Sequence, residues 1–262
     1  MESIGSGLVQ LDVDDNRADV ILDRADKRNA MNQALLSDLR SALETVEADD
    51  DVRAMTLLGK GPVLSAGMDL EMMSDRAGSD GQMETGLDHV TRYIADMSTP
   101  SVAGIQGAAI AGAFELVLPV DLRVIDAEAK YGVKEIKLGI FPSGGATQRL
   151  PRLVGLSKAK EIVLTGDFID PQEAKDIGLV HEVVEDPEEV DDRARAWADK
   201  LASNAPLGLE RARMLLNSAL DMPLEEGLEL ESALGRELVD THDYEEGFSA
   251  ELEGREAEFE GR

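Results

Sequence analysis

The order of elements along the first part of the chain restricts the fold more than any other feature. Leu8-Val9-Gln10-Leu11-Asp12-Val13 and Ala18-Asp19-Val20-Ile21-Leu22 flank the turn Asp14-Asp15-Asn16 and read as a hairpin. Asn29 is placed to cap a helix carrying Met31, Leu35, Leu36, Leu39, Leu43 and Val46, and Val52 to Gly59 follows as a buried strand ending on glycine. A strand-helix-strand order points to parallel pairing through a right-handed crossover. The same grammar returns downstream. Ser101-Val102-Ala103-Gly104-Ile105 is a small-residue strand, Gly107 to Ala113 is a turn that opens a helix near Gly112, and Leu122 to Asp126 is another strand. The chain is therefore α/β.

Two zones are expected. Residues 1–190 mix short apolar runs with helices, whereas 191–262 reads as helical and strongly acidic. No repeat of twenty to fifty residues and no low-complexity linker separates them. Helices are marked by Leu153-Val154-Gly155, Pro171 to Ile177, Pro187 to Ser203 and Leu207 to Leu220, and residues 72–88 read as a mobile loop or frayed helix. At 262 residues the chain buries enough surface to fold without staples, and it has no cysteine, which excludes disulfides, thiolate metal sites and a cysteine nucleophile.

Lys plus Arg is 26 against Asp plus Glu at 54, for a formal charge of −28. Such a surface repels phosphate backbones, so nucleic-acid binding is not expected. The acids are spread along the whole chain, and with nine lysines and 3% aromatics the composition resembles a cytoplasmic protein of a salt-loving microbe. Met-Glu-Ser-Ile-Gly lacks a basic region before an apolar core, so no signal peptide is expected. Ser101 to Val120 is about bilayer length, but Glu115 and its glycines and prolines make it a poor spanning helix, and no membrane association is expected.

Two segments resist a purely local account: Gly61-Pro62-Val63-Leu64-Ser65-Ala66-Gly67-Met68-Asp69-Leu70 and Gln106-Gly107-Ala108-Ala109-Ile110-Ala111-Gly112-Ala113-Phe114-Glu115-Leu116. Small residues after a strand let backbone approach a ligand and leave amide N–H groups free at a helix start, where they stabilise a carbonyl oxygen gaining negative charge. Tight strand–helix packing explains either segment taken alone.

Taken with the other motifs along the chain, five in all and in the family's order, the sequence resembles the enoyl-CoA hydratase/isomerase (crotonase) family. The motifs are Asp26-Lys27-Arg28-Asn29-Ala30-Met31, Ser65 to Leu70, Thr99-Pro100-Ser101 to Gly107, Gly139-Ile140-Phe141-Pro142-Ser143 to Arg152, and Gly178-Leu179-Val180-His181-Glu182-Val183-Val184. The resemblance covers nearly the whole chain. It implies a crotonase-type spiral of repeated β-β-α units, a helical C-terminal region that builds trimers or a dimer of trimers, and an acyl-CoA substrate with no separate cofactor and no metal. It implies an oxyanion hole from the amides of Met68 and Gly112. It also implies catalytic Glu115, which holds and activates water, and Glu135, which protonates the α-carbon. The two carboxyls are expected to titrate as a unit, with at least one pKa raised. Lys27, Arg28, Ala66, Asp69, Leu70 and Ser143 are the implied substrate and CoA contacts.

Both glutamates being present favours hydration of a 2-enoyl-CoA over double-bond isomerisation or hydrolysis of an acyl-CoA. A silent binding subunit is the alternative of another class. Departures from the family pattern bear on the site. The family's Gly-Gly-Gly run is Ala111-Gly112-Ala113, Phe114 is bulky enough to trim the pocket, and Pro119 should end or kink the catalytic helix. Ser143 replaces a glycine near the expected water site, and Glu71 stands where hydratases often carry a basic residue. Met68, Met72, Met73, Met83, Phe114 and Phe141 are expected to set pocket size. Ser65 and Ser143 lack a nucleophile-elbow context, and His89, His181 and His242 lack ligand spacing. The stripe Leu224, Leu228, Leu234 and Leu238 reads as core or subunit interface.

Overall fold

The computed structural model describes residues 1–75 and 86–262. The expected hairpin is present: β2 (Val9–Asp14) and β3 (Arg17–Leu22) pair antiparallel, with Asp14 opposite Arg17 across a two-residue turn. A short β1 (Glu2–Ile4) extends this edge. Helix α1 (Gln33–Glu47) then crosses to β4 (Ala54–Gly59), which pairs parallel with β3, and β5 (Ser101–Ile105), β7 (Leu122–Asp126) and β9 (Glu182–Val184) add in parallel. The large sheet therefore has the order β1-β2-β3-β4-β5-β7-β9.

Each turn of the chain also contributes to a second, smaller layer. β6 (Ala108–Ile110) pairs parallel with β8 (Lys130–Gly132), and single bridges join Ser65 to Ala109, Met31 to Met68 and Tyr131 to Ile169. This is the β-β-α spiral expected from the motifs. The glycine-rich turn before the helix that carries Glu115 contains the short strand β6, which sequence patterning does not disclose. Three small residues carry no period.

The remaining helices are α2 (Leu70–Asp75), α3 (Leu87–Asp96), α4 (Gly112–Val117), α5 (Ala146–Val154), α6 (Leu156–Thr165), α7 (Pro171–Asp176), α8 (Val190–Ala202), α9 (Pro206–Ser218), α10 (Leu224–Leu238) and α11 (His242–Glu253). Ser101 to Val120, the stretch of bilayer length, is divided among β5, β6 and α4. No helix among the described residues is long and apolar enough to cross a membrane. The expected loop at 72–88 resolves at its ends into α2 and α3, and Met83 lies outside the described residues.

Two apolar cores flank the large sheet. One gathers α1, α3, α4 and the small layer; the other packs Val190, Ala194, Ala198 and Ala202 of α8 against Ala54, Leu58, Val102 and Val124. A buried ionic group locks α8 in place. Asp19 accepts from Arg17 at 3.0 Å, Thr56 at 2.7 Å and Arg195 of α8 at 2.7 Å. A buried carboxylate needs such partners, because an unpaired one costs several kcal/mol (order of magnitude). The α9–α11 region is different, since α10 buries none of its residues.

The capping expectation at Asn29 is corrected. The cap of α1 is Asn32, whose side chain accepts from the Leu35 amide at 2.9 Å. Asn29 is fully buried instead, and its amide nitrogen donates to the carbonyls of Lys60, Val63 and Leu64 at 3.0 Å each. Three tertiary acceptors outcompete one local cap.

Candidate active site

The turn at Arg28 and Asn29, both at φ 52°, is the anchor for the loop that follows β4. The Ser65 hydroxyl donates to the Asn29 carbonyl at 2.7 Å and accepts from the Gly67 amide at 3.1 Å. The Ala66 amide donates to the Arg28 carbonyl, and Met31 and Gly67 to Asp69 are zipped by Met31 N to Gly67 O and Asp69 N to Met31 O. These bonds use the amides on both sides of Met68. The Met68 amide has no hydrogen-bond partner among the described residues. Gly67 is required here, with φ +98° and a would-be β-carbon only 2.5 Å from the Ile110 carbonyl oxygen.

Helix α4 starts against this turn. A β-carbon on Gly112 would lie 2.9 Å from Met68 Cγ, so the two residues are in direct apposition. The amide of Gly112, in the first turn of α4, also has no partner among the described residues, while the amide of Ala111 donates to Gly132 O at 2.9 Å and that of Glu115 to Ala111 O at 3.0 Å. Two residues with unpartnered amides thus touch each other. Ala111 holds the entry to α4 at φ 56° and ψ −120°, a conformation that favours glycine.

Glu115 is almost fully buried. Its Oε1 accepts from the Ala146 amide at 3.0 Å, at the N-terminus of α5, where the helix dipole favours an anion. A β-carbon on Gly144 would lie 2.9 Å from Glu115 Oε2, so only glycine admits the carboxylate so close. Burial is the largest influence and pushes the Glu115 carboxyl up to about 7, against the amides of Ala146, Gly144 and Gly145 that pull it down; the charge of Glu135 raises it further. Glu135 opens a 3-10 turn (Glu135–Leu138), is buried, and accepts from the Lys134 amide at 2.8 Å. Burial raises its pKa too.

The chain matches the family model described as Enoyl-CoA hydratase/isomerase over residues 14–262. It is 34% identical to the mitochondrial methylglutaconyl-CoA hydratase of Mus musculus, over 95% of this chain and 81% of that protein. It is 35% identical to a probable enoyl-CoA hydratase of Rhizobium meliloti, over 93% and 94%. A crystal structure of enoyl-CoA hydratase from Bacillus anthracis superposes with a TM-score of 0.91 at 31% identity, covering 97% of this chain and 100% of that one. The chain belongs to the enoyl-CoA hydratase/isomerase family.

Against the family pattern, the structure brings Met68, Gly112, Glu115 and Glu135 to one region. Ala66 lies in the same turn, half-buried, while Lys27, Arg28, Leu70 and Ser143 are exposed. Asp69 is occupied internally: its carboxylate accepts from Arg24 at 2.6 Å and from the amides of Glu71 and Met72, and Arg24 is the main reason its pKa is lowered. Phe114 does not trim the pocket. It is fully buried, with its ring 4.6 Å from that of Tyr131, because α4 turns this side chain into the core while Glu115 points to α5. Of the other pocket candidates, Met68, Met72 and Met73 are half-buried and Phe141 is exposed.

Pro119 ends α4 as expected, and a residue the sequence reading passed over completes the end. Arg123 is fully buried and donates to the carbonyls of Val117, Val120 and Leu179, so the helix terminus is satisfied without a Pro119 N–H. Leu87 is a second omission: its Cδ2 would meet a β-carbon on either Gly112 or Gly144, so it bridges the start of α4 and the turn that cradles the Glu115 carboxylate.

Proposed function

We propose that this protein catalyses the reversible addition of water to a 2-enoyl-CoA thioester. The observation that carries this reading is Glu115: a buried carboxyl with a pKa near neutrality, coupled to Glu135 and adjacent to the unpaired amides of Met68 and Gly112. A general base works best when its pKa lies near the working pH. The hydratase names of the relatives from Mus musculus and Rhizobium meliloti support the same reading.

The chemistry follows from the placement. Ionised Glu115 accepts a proton from water as the water oxygen bonds to the β-carbon. The alkene electron pair moves toward the thioester, and negative charge gathers on the carbonyl oxygen facing the two amides. Removal of one donor of this kind costs roughly 2.7–4 kcal/mol in other enzymes. Glu135, whose protonated form burial favours, is the proposed donor of a proton to the α-carbon, and proton exchange between the carboxyls and water resets the pair. Lys27 and Arg28, exposed beside the oxyanion turn, are proposed to meet the CoA phosphates; coenzyme A enters as part of the substrate.

The α9–α10 face exposes Leu216, Leu220, Leu224 and Leu228, while Leu234 and Leu238 are half-buried. The single chain does not use this stripe as core, which supports a subunit interface; the trimer or dimer of trimers is what the family resemblance implies. Light scattering of the purified protein tests the assembly. For the reaction, the test is the loss of the conjugated thioester's ultraviolet absorbance when a short 2-enoyl-CoA is added. Turnover supports hydration. Binding without any turnover identifies a silent subunit, and migration of the double bond with no water added identifies an isomerase.

A further inference from the structure

The Gly139 to Arg152 motif contains an arginine that the reaction described above does not use. Arg149 lies on α5 and reaches back over the turn that precedes it. Its Nη1 donates to the Gly144 carbonyl at 3.3 Å, and its Nη2 donates to the Thr91 carbonyl of α3 at 3.2 Å. The Thr91 hydroxyl, fully buried, donates to the same Gly144 carbonyl at 2.9 Å. A β-carbon on Gly145 would collide with Arg149 Nη1, so the tip of the guanidinium lies directly against this glycine.

The peptide between Gly144 and Gly145 therefore has different partners at its two ends. Its carbonyl oxygen takes the Arg149 and Thr91 donors, and its Gly144 end packs against Glu115, where a β-carbon would lie 2.9 Å from Oε2; the Gly145 N–H adds only the smallest of the influences on that carboxyl. No peptide in the described chain is cis, and a trans peptide directs O and H to opposite sides. Donors on the oxygen polarise the unit and strengthen its N–H as a donor. Arg149, through the Gly144 carbonyl, and Glu115, packed against the Gly144 α-carbon, thus both bear on one short turn, each within electrostatic reach of the other.

We infer that Arg149 is a positioning residue: with Thr91 it fixes the Gly144–Gly145 turn against which the Glu115 carboxylate packs, and it brings a positive charge to that side of the site, so that it holds Glu115 in place. The inference rests on the assignment of Glu115 as the base. The charged groups facing this assembly are Glu135 toward Glu115, and Arg92 and Asp96 of α3 toward Arg149. Glu135 and Asp96 oppose a second negative charge in the region, and Arg92 crowds the guanidinium. Within the assembly, Arg149 is the cation that reaches the Gly144 carbonyl.

The test reads Glu115 directly and without substrate. Side-chain carboxyl carbons are titrated by NMR, with the Glu115 signal identified by its loss in Glu115→Gln. Arg149→Gln keeps a donor and removes the charge; it is expected to move the Glu115 midpoint up by about one pH unit. Arg149→Lys restores the charge without the fork and is expected to recover most of that displacement. Thr91→Val, nearly isosteric, is expected to move the midpoint up by less. With turnover, Arg149→Gln should carry the acid limb of kcat upward by the same amount while KM changes little. An unmoved midpoint in Arg149→Gln overturns the inference, and if that variant does not fold, an unmoved midpoint in Thr91→Val does so. A moved midpoint in a protein that hydrates no enoyl ester leaves the positioning role standing and removes only the hydratase reading.

Discussion

The Ala146 amide and the Glu115 carboxylate meet across 3.0 Å, joining the first residue of α5 to the middle of α4. The contact depends on Gly144, whose α-carbon leaves Glu115 Oε2 no room for a methyl group. Gly144→Ala should therefore displace the carboxylate from its amide cradle. The expected outcome is at least about a tenfold fall in kcat and a loss of roughly 1–3 kcal/mol of stability, measured by turnover and by denaturant unfolding.

Glu115 also makes a pH-dependent contribution to stability. Its folded pKa, about 7, lies above the ordinary 4.5, so the folded state holds this proton more tightly than the unfolded chain does. That contribution is complete below about pH 4.5 and is lost as pH rises through about 7, amounting to about 3 kcal/mol. Glu115→Gln, which cannot ionise, should gain stability relative to the native protein at pH 8 and show little such gain at pH 4. Urea unfolding at the two pH values decides this; an equal effect at both contradicts the burial account.

Ala111 holds a backbone conformation suited to glycine, at φ 56° and ψ −120°. Ala111→Gly should therefore raise stability by about 1 kcal/mol, in the opposite direction to the usual effect of glycine. A lower unfolding midpoint would show that the strain at this turn is absent.

The net charge of −28 is proposed to reflect adaptation to high salt. Exposed carboxylates repel one another, and near molar salt the screening length falls to about 3 Å. The melting temperature should climb steadily between low and molar potassium chloride. A flat response would rule out repulsion as a significant cost to this fold.

The opening hairpin, the parallel crossover that follows it and the two glycine-rich turns were legible in the sequence because each rests on local chemistry: alternating or continuous apolar runs, and small residues at turns. Met68, Gly112, Glu115 and Glu135 were legible through motif order, since nothing local separates Glu135 from a surface glutamate between lysines. Other features were not legible, for physical reasons. Asn29 and Asn32 both suit a cap, and only the three carbonyls of the following loop decide which one caps α1. Phe114 and Glu115 are neighbours, and the rotation of a six-residue helix alone sends one to the core and the other to the site. Arg149 and Thr91 meet through contacts 58 residues apart, beyond any pattern of spacing.

The most direct test of the two-carboxyl reading is the turnover of Glu115→Gln and Glu135→Gln on a short 2-enoyl-CoA, measured alongside binding of a non-reactive CoA ester. Each variant should lose at least about a hundredfold in kcat while ester affinity persists. Full activity in either variant would contradict the assignment of proton transfer to this pair.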